Sequence, residues 1–330
     1  MRHILGIEIG GSKLQLALGR DDTSQCVGFW RSPVEASHGA DPIRERIVSG
    51  VGELLAQAGV SRDEIAGVGI GFGGPVDVAT GMTVVSNQVA GWENFPLVAW
   101  VRKRLGWPAV IQNDADTAAL AESTFGAGRG FDPLLYLTVG SGIGGGLICG
   151  GQIFRGNGHG AAEVGHLRPR LGEASFGCEL DQSPHTVESW ASGFGIEQRT
   201  RQRMAANTDP PGTFDRLWAL TNGDPDRVTT RLIAQAAATG DPVSQEILNE
   251  AIDVLGWAIG QAVTLINPAR VVVGGGVSLI GEEQFFAPLR SAVRRWTFPP
   301  FVSQADVVAA ALGEEVVIHG ALALARSAFL

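Results

Sequence analysis

Three glycine clusters constrain this chain more than any other feature, because each follows an apolar run directly. The fullest is residues 137–151, LTVGSGIGGGLICGG, where one apolar run ends in glycine and a second begins. Residues 4–13, ILGIEIGGSK, carry a shorter version and lead into LQLALG. The third is Gly274, Gly275 and Gly276, after the apolar run 270–273. Turns without side chains at strand ends let backbone N–H groups face an anion such as phosphate. Ser12 and Ser141 can add a hydroxyl to the first two. Any one cluster alone also reads as a plain hairpin or strand–helix turn. Used repeatedly, the device predicts two related halves engaging one ligand.

Bulk properties narrow the setting. A chain of 330 residues is longer than one ordinary domain, so two lobes are expected. Its 45% hydrophobic and 18% charged residues are those of a soluble globular protein. The net charge of −9 argues against duplex nucleic acid or an anionic membrane as partner. It leaves room for a small phosphorylated ligand held by backbone N–H groups. Cys26, Cys149 and Cys178 are odd in number and widely spaced, so no disulfide framework is implied. Glu8 interrupts the N-terminal apolar stretch, which alternates like a strand, so no signal peptide is expected. No apolar run reaches the ~20 residues of a membrane span. A cytoplasmic protein is expected.

The pattern of elements is alternating. Residues 4–18 read as a hairpin and 25–30 as the next strand. Asp41 is expected to cap a helix with Ile43, Ile47, Val51, Leu54 and Leu55 on one face, ended by Gly59. A buried strand, 65–70, runs into Gly71-Phe72-Gly73-Gly74-Pro75, and a polar loop follows at 84–94. A helix over 95–105 and a strand over 109–112 lead to Asn113-Asp114-Ala115-Asp116 and a helical run. After the hairpin that starts at Leu134, residues 155–163 read as loop, 164–170 as extended chain and 188–198 as helix. Asp241 and Pro242 open a long amphipathic helix that Asn267-Pro268 stops. Strands at 270–273 and 306–311 and a terminal helix at 314–329 complete an α/β fold with mixed sheets.

No cluster matches the P-loop pattern, since Lys13 sits too close to its glycines. Asp114 is the candidate catalytic base, placed where a strand ends and a helix begins. Its alternative is the helix N-cap, a role Asp116 fits at least as well. Glu163, His166 and Glu188 form a polar set suited to sugar hydroxyls. Taken alone, His166 also reads as a hydrogen-bonded structural histidine.

Together the motifs resemble the ROK family of sugar kinases and related repressors, in the actin-like ATPase superfamily. The family's D-I-G-G-T-K is similar to Glu8 through Lys13, and its G-x-G-G-P-V-D to Gly71 through Asp77. Its S-N-x-x-G-W loop resembles Ser86 through Trp92 with one extra residue, and its N-D-A-N-A-A-A-L-A-E resembles Asn113 through Glu122. Its G-T-G-I-G-G-G is matched from Gly140 to Gly146, its E-x-G-H by Glu163 to His166, and its E-A-Y-A-S-G by Glu188 to Gly193. Its N-P-x-x-I-V-x-G-G-G is similar to Asn267 through Gly276.

The resemblance implies two actin-like, ribonuclease H-like lobes with a cleft between them. The small lobe would be residues 1–115 joined by the terminal helix 314–330, and the large lobe 116–313 with helical insertions. The implied activity is an ATP-dependent hexose kinase, glucose at its 6-hydroxyl being the leading substrate. Fructose, mannose, allose, an N-acetylhexosamine, or a non-catalytic sugar-binding role are the alternatives. Asp114 would be the general base, with Asn87, Asn113, Glu163, His166, Glu188 and Gly74 around the sugar. Gly10, Gly11, Ser12, Lys13, Ser141, Gly142 and Gly144 would hold the triphosphate, and Gly275 would lie near the adenosine. Magnesium would bridge the phosphates, with Glu8 in the place of the family's aspartate binding it through water. Many family members bind zinc through cysteines just before the E-A-Y-A-S-G match. Here residues 176–187 hold only Cys178, so no structural zinc is expected. The remaining expectations are a homodimer and no DNA partner, the first hairpin starting too early for a preceding helix-turn-helix.

Overall fold

A computed structural model describes residues 2–20, 26–86, 88–157, 160–169, 185–206 and 212–330 of the chain. In order these form β1 (His3–Ile9), β2 (Lys13–Arg20), β3 (Cys26–Pro33), α1 (Ala40–Ala58) and β4 (Ile65–Phe72). Next come β5 (Val76–Asp77), β6 (Met82–Thr83), α2 (Leu97–Leu105), β7 (Ala109–Asn113) and α3 (Asp114–Phe125). A hairpin follows, β8 (Leu134–Val139) and β9 (Ile143–Cys149), then β10 (Gln152–Ile153). Helices α4 (Val187–Ala191), α5 (Gly193–Ala206), α6 (Asp215–Thr221), α7 (Thr230–Ala238) and α8 (Pro242–Ile266) lead to β11 (Arg270–Gly274). The chain ends with α9 (Ala287–Trp296), β12 (Val307–Ala309) and α10 (Val316–Phe329).

The fold is α/β with mixed sheets. One sheet has the order β3-β2-β1-β4-β7, antiparallel through β1 and parallel from β1 to β7. The other runs β10-β9-β8-β11-β12, with β9–β10 antiparallel and β11–β12 parallel. The chain divides into two compact units. The first comprises Met1–Tyr136, Gly146–Ala161 and Ala311–Leu330, and the second Leu137–Gly145 and Ala162–Ala310.

Strand alternation sorts the first sheet into two faces. Leu5, Ile7 and Ile9 of β1 and Leu14, Leu16 and Leu18 of β2 pack with Ile43, Ile47, Val51 and Leu54 of α1. Each such fully buried aliphatic side chain contributes roughly 1.5–3 kcal/mol. The opposite face puts Ile4 and Ala17 against Ile318, Leu322 and Ala325 of α10. There β4 presents Gly67, Gly69 and Gly71 at every second position. A Cβ at Gly69 would overlap the carbonyl oxygen of Ala321 and lie 2.9 Å from its carbon, so the absent side chain admits the backbone of α10. The buried carboxylate of Glu122 secures the same region. Its Oε1 accepts from the N–H groups of Ala311 and Leu312, both at 2.9 Å, and its Oε2 from that of Ala127 at 2.7 Å.

Helix α8 starts and stops as expected, with Asp241 accepting from Ser244 N at 2.9 Å and Asn267 left-handed at φ 48°. Three local expectations are corrected. Gly39, with φ 73°, is the residue before α1, and Asp41 sits inside the first turn where it pairs with Arg44. Residues Val164–His166 form a short 3-10 turn instead of extended chain, since His166 N donates to Glu163 O at 3.1 Å. The helix expected over 188–198 is broken at Ser192, whose ψ of 161° is extended and separates α4 from α5. Among the described residues, no helix is long and apolar enough to cross a membrane.

Candidate active site

In the first unit, the β1–β2 turn, the end of β4 and the start of α3 converge. The turn is closed by Gly10 N donating to Lys13 O at 3.0 Å. Gly73, just after β4, donates its N–H to Ile9 O at 2.8 Å. A Cβ at Gly73 would come 3.6 Å from Gly10 Cα and 3.7 Å from Asp114 Oδ2. Glycine at 73 therefore leaves the Asp114 carboxylate beside the phosphate-type turn. Parallel register explains the convergence: Ile9 pairs with Phe72, and Phe72 with Asn113, so three strand ends lie level.

Neither aspartate caps α3. Asn113 does, its Oδ1 accepting from Ala115 N at 2.8 Å and Asp116 N at 3.4 Å. Asn, Asp and Ser cap about equally well, so spacing alone did not choose among the three residues. Capping by Asn113 relieves Asp114 of that duty. Asp116 is buried and accepts from Gln112 Nε2 at 3.0 Å. Asn113 Nδ2 donates to Gly74 O at 3.0 Å, which leaves one amide N–H for a ligand.

Glu8 lies on β1, on the face toward α10, and is 5% exposed. Its Oε1 pairs with Lys13 Nζ at 3.1 Å, while Oε2 is buried with no hydrogen-bond partner among the described residues. Burial pushes the Glu8 carboxyl up to about 7, although the charge and hydrogen bond of Lys13 pull it down. The nearby Asp114 charge adds a smaller upward contribution. Lys13 Nζ also donates to Glu314 O at 2.6 Å and to Gln15 Oε1 at 3.4 Å. An ammonium has three donors, and all three are engaged here. Gln15 faces Glu8 across the β1–β2 pair, and its Nε2 is another buried atom lacking a partner among the described residues. The unmatched carboxylate oxygen of Glu8 could accept from a metal-bound water, which is compatible with the magnesium role expected of it.

The loop after β6 is fixed at both ends. Ser86 Oγ accepts from Gln88 N at 3.3 Å and Val89 N at 3.2 Å. Val89 and Trp92 are buried, Trp92 edge-on to Phe72 and Phe95. Ala40 N, at the start of α1, donates to Ala90 O at 2.9 Å. Gly74 fits under this loop because a Cβ there would approach Val85 O to 2.5 Å. Asn87 lies outside the described residues, as does Cys178 with the segment 170–184 where zinc ligands would be sought.

The second unit holds the other candidates around the β8–β9 turn. Gly140 N donates to Gly142 O at 2.8 Å, leaving Ser141 exposed at the tip. Glu188, in the first turn of α4, accepts from Ile143 N at 2.7 Å. A Cβ at Gly142 would approach the same carboxylate oxygen to 2.6 Å. Gly193 N donates to Gly140 O at 2.7 Å, so the Glu188–Gly193 segment braces the turn from two points. Gly275, with φ 88°, lies against Val139, whose carbonyl oxygen a Cβ would approach to 2.5 Å. Gly144 lies on β9. Glu163 and His166 are exposed and face each other, Oε2 to Nδ1 at 3.6 Å.

The sequence profile of the ROK family matches residues 4–328. The chain belongs to the ROK family. It is 32% identical to a glucokinase of Streptomyces coelicolor over 98% of its own length and 97% of that protein's. Among solved ROK structures, it resembles a glucokinase of Streptomyces griseus in complex with glucose and AMPPNP. That match has a TM-score of 0.79 and 32% identity, covering 98% of this chain and 99% of that one. A ROK hexokinase of Thermus thermophilus matches with a TM-score of 0.80 and 27% identity, over 99% and 98% of the two chains. One contact at the β1–β2 turn of this ROK protein was not marked by its sequence motifs. Gln88 lies against Gly11, and the signal that could have found it is the extra residue in the S-N-x-x-G-W loop.

Proposed function

We propose that this ROK protein is a sugar kinase that transfers the γ-phosphoryl group of ATP to a hexose hydroxyl, the 6-hydroxyl of glucose foremost. The observation that carries the reading is the Asp114 carboxylate beside the Gly10 turn, with Gly73 leaving the space between them open. Asp114 Oδ1 accepts from Ala115 N at 2.8 Å, which orients the carboxylate. In the reaction Asp114 takes the proton of the hydroxyl as its oxygen bonds to phosphorus. The bond from phosphorus to the ADP oxygen breaks in line. The glycine turns at Gly10, Gly11, Gly142 and Gly144, with the Ser12 and Ser141 hydroxyls, are assigned to the phosphates, the Gly10 N–H itself being spent on Lys13 O. Gly275 is assigned to the adenosine. Asn87, Asn113, Gly74, Glu163, His166 and Glu188 are assigned to the sugar.

Magnesium would supply positive charge against the charge that develops on the phosphates during transfer. Glu8 Oε2 would hold it through a water. Lys13, with its ammonium engaged by Glu8, Gln15 and Glu314, fixes the carboxylate and the turn.

The test is ADP release by the purified protein with ATP, magnesium and a panel of hexoses. Glucose is expected to give the highest kcat/KM. Sugar binding seen by calorimetry with no ADP from any hexose would replace the kinase reading with a non-catalytic sugar binder. Asp114→Asn is expected to lower kcat by about a thousandfold while sugar affinity stays near wild type. An unchanged rate would remove Asp114 as the base.

A further inference from the structure

Gln88, in the loop after β6, lies on the β1–β2 turn. A Cβ at Gly11 would overlap Gln88 Oε1 and approach its Cδ and Cβ to 2.5 and 2.8 Å. Two of these atoms belong to the amide and one to the stem, so the side chain lies along the glycine. The backbone that carries it is anchored on both sides. Ser86 Oγ accepts from Gln88 N at 3.3 Å, and Val89 is 2% exposed. Gln88 itself is exposed, and its amide makes no hydrogen bond among the described residues. A neutral group with two donors and one acceptor thus lies over a backbone turn, its oxygen toward Gly11 and its N–H groups without a partner among the described residues.

The neighbours of that turn identify what the amide faces. Gly10 adjoins Gly11 and lies against Gly73, and Gly73 lies against Asp114 Oδ2. Gln88, from the loop after β6, therefore lies on Gly11, and the Asp114 carboxylate, at the start of α3, lies beside Gly73, which abuts Gly10. In sequence Gln88 follows Asn87, the residue assigned above to the sugar.

We propose that Gln88 is a catalytic residue of this site, its amide N–H groups donating to the transferred phosphoryl group over Gly10 and Gly11. The inference rests on the phosphoryl-transfer reading and deepens it. A neutral donor is suited to this place because charge builds on the phosphoryl oxygens during transfer. It also supplies hydrogen bonds at a turn where the ammonium of Lys13 is committed elsewhere.

Two variants of the full chain test this, Gln88→Ala and Gln88→Glu, each first compared with wild type by thermal unfolding. Gln88→Ala is expected to lower kcat about a hundredfold with sugar affinity in the absence of nucleotide unchanged. Gln88→Glu places a negative charge on the turn and is expected to weaken magnesium–AMPPNP binding, measured by calorimetry without sugar, at least tenfold. Wild-type kcat in Gln88→Ala overturns the proposal, and so does wild-type AMPPNP affinity in Gln88→Glu. If wild type binds AMPPNP but phosphorylates no hexose, the kinase reading fails and the catalytic role of Gln88 falls with it, whatever the AMPPNP comparison shows. Wild type that does not bind AMPPNP overturns both.

Discussion

Glu8 is the residue whose surroundings most oppose its charge. It is held on β1, 5% exposed, with one oxygen on Lys13 and the other unmatched among the described residues. Its carboxyl titrates at about 7 in the folded chain against an ordinary 4.5. Between those values the folded protein holds a proton that the unfolded chain has released, so stability falls as pH rises through that window. At ~1.4 kcal/mol per unit, the loss from pH 4.5 to above 7 is about 3 kcal/mol. Glu8→Gln has no such proton to lose. Urea unfolding of wild type and Glu8→Gln from pH 4.5 to 8 should show the two stabilities diverging, the variant gaining as pH rises. Parallel curves would mean that Glu8 titrates normally. A magnesium ion near Oε2 would favour the carboxylate and lower its pKa, so magnesium–nucleotide should narrow the divergence.

At the scale of elements, the fold depends on glycines that look alike in sequence and act differently in space. Those at 10, 11 and 73 keep a turn and a carboxylate close, whereas Gly67, Gly69 and Gly71 let α10 settle on β4. Gly69→Ala would force a methyl into the backbone of Ala321, and neither backbone can yield cheaply. It should destabilise by about 2 kcal/mol or more, read as a lower urea midpoint. Gly52→Ala on α1, where a Cβ meets nothing within 4 Å, should instead stabilise by about 0.5–1 kcal/mol. Equal midpoints for the two variants would show that the glycine face is not tightly packed. The turns and most strands were legible because glycine after an apolar run has few other meanings, and α8 because Asp241, Pro242 and Asn267 mark both of its ends. The seat of α10 was not, since an apolar helix face states that it is buried without saying against what. The cap of α3 was misread because Asn113, Asp114 and Asp116 are chemically near-equivalent there, and geometry alone chose Asn113. Gln88 stayed hidden because a glutamine in a polar loop reads as solvated until its contact with Gly11 is seen.

At the scale of the whole chain, the first unit is assembled from three separate stretches, the last being Ala311–Leu330. Its sheet is complete at β7, but one face stays uncovered until the C-terminal helix has been made. Without α10, Ile4, Ala17 and the glycine row of β4 would face water, and the Glu314 carbonyl that accepts from Lys13, two residues before the helix, would lose the anchor that follows it. Glu122, whose carboxylate is bonded to the N–H groups of Ala311 and Leu312, would lose its reason to stay buried if the chain there came loose. Leaving such a carboxylate or its donors unmatched costs about 1–3 kcal/mol per group. Added to the lost apolar contact of α10, this is a large share of the 5–15 kcal/mol that typically holds a domain folded. A chain ending at residue 315 should consequently lack a cooperative thermal transition and accumulate as aggregate. Glu122→Ala in the full chain should fold with a lowered melting temperature, because the apolar face of α10 still finds its seat. Near-ultraviolet circular dichroism and melting curves of the two proteins separate these outcomes. A shortened chain that melts cooperatively and still releases ADP in the presence of a hexose would show that β1, β4 and β7 hold their register, and the site at Asp114, without the helix that covers them.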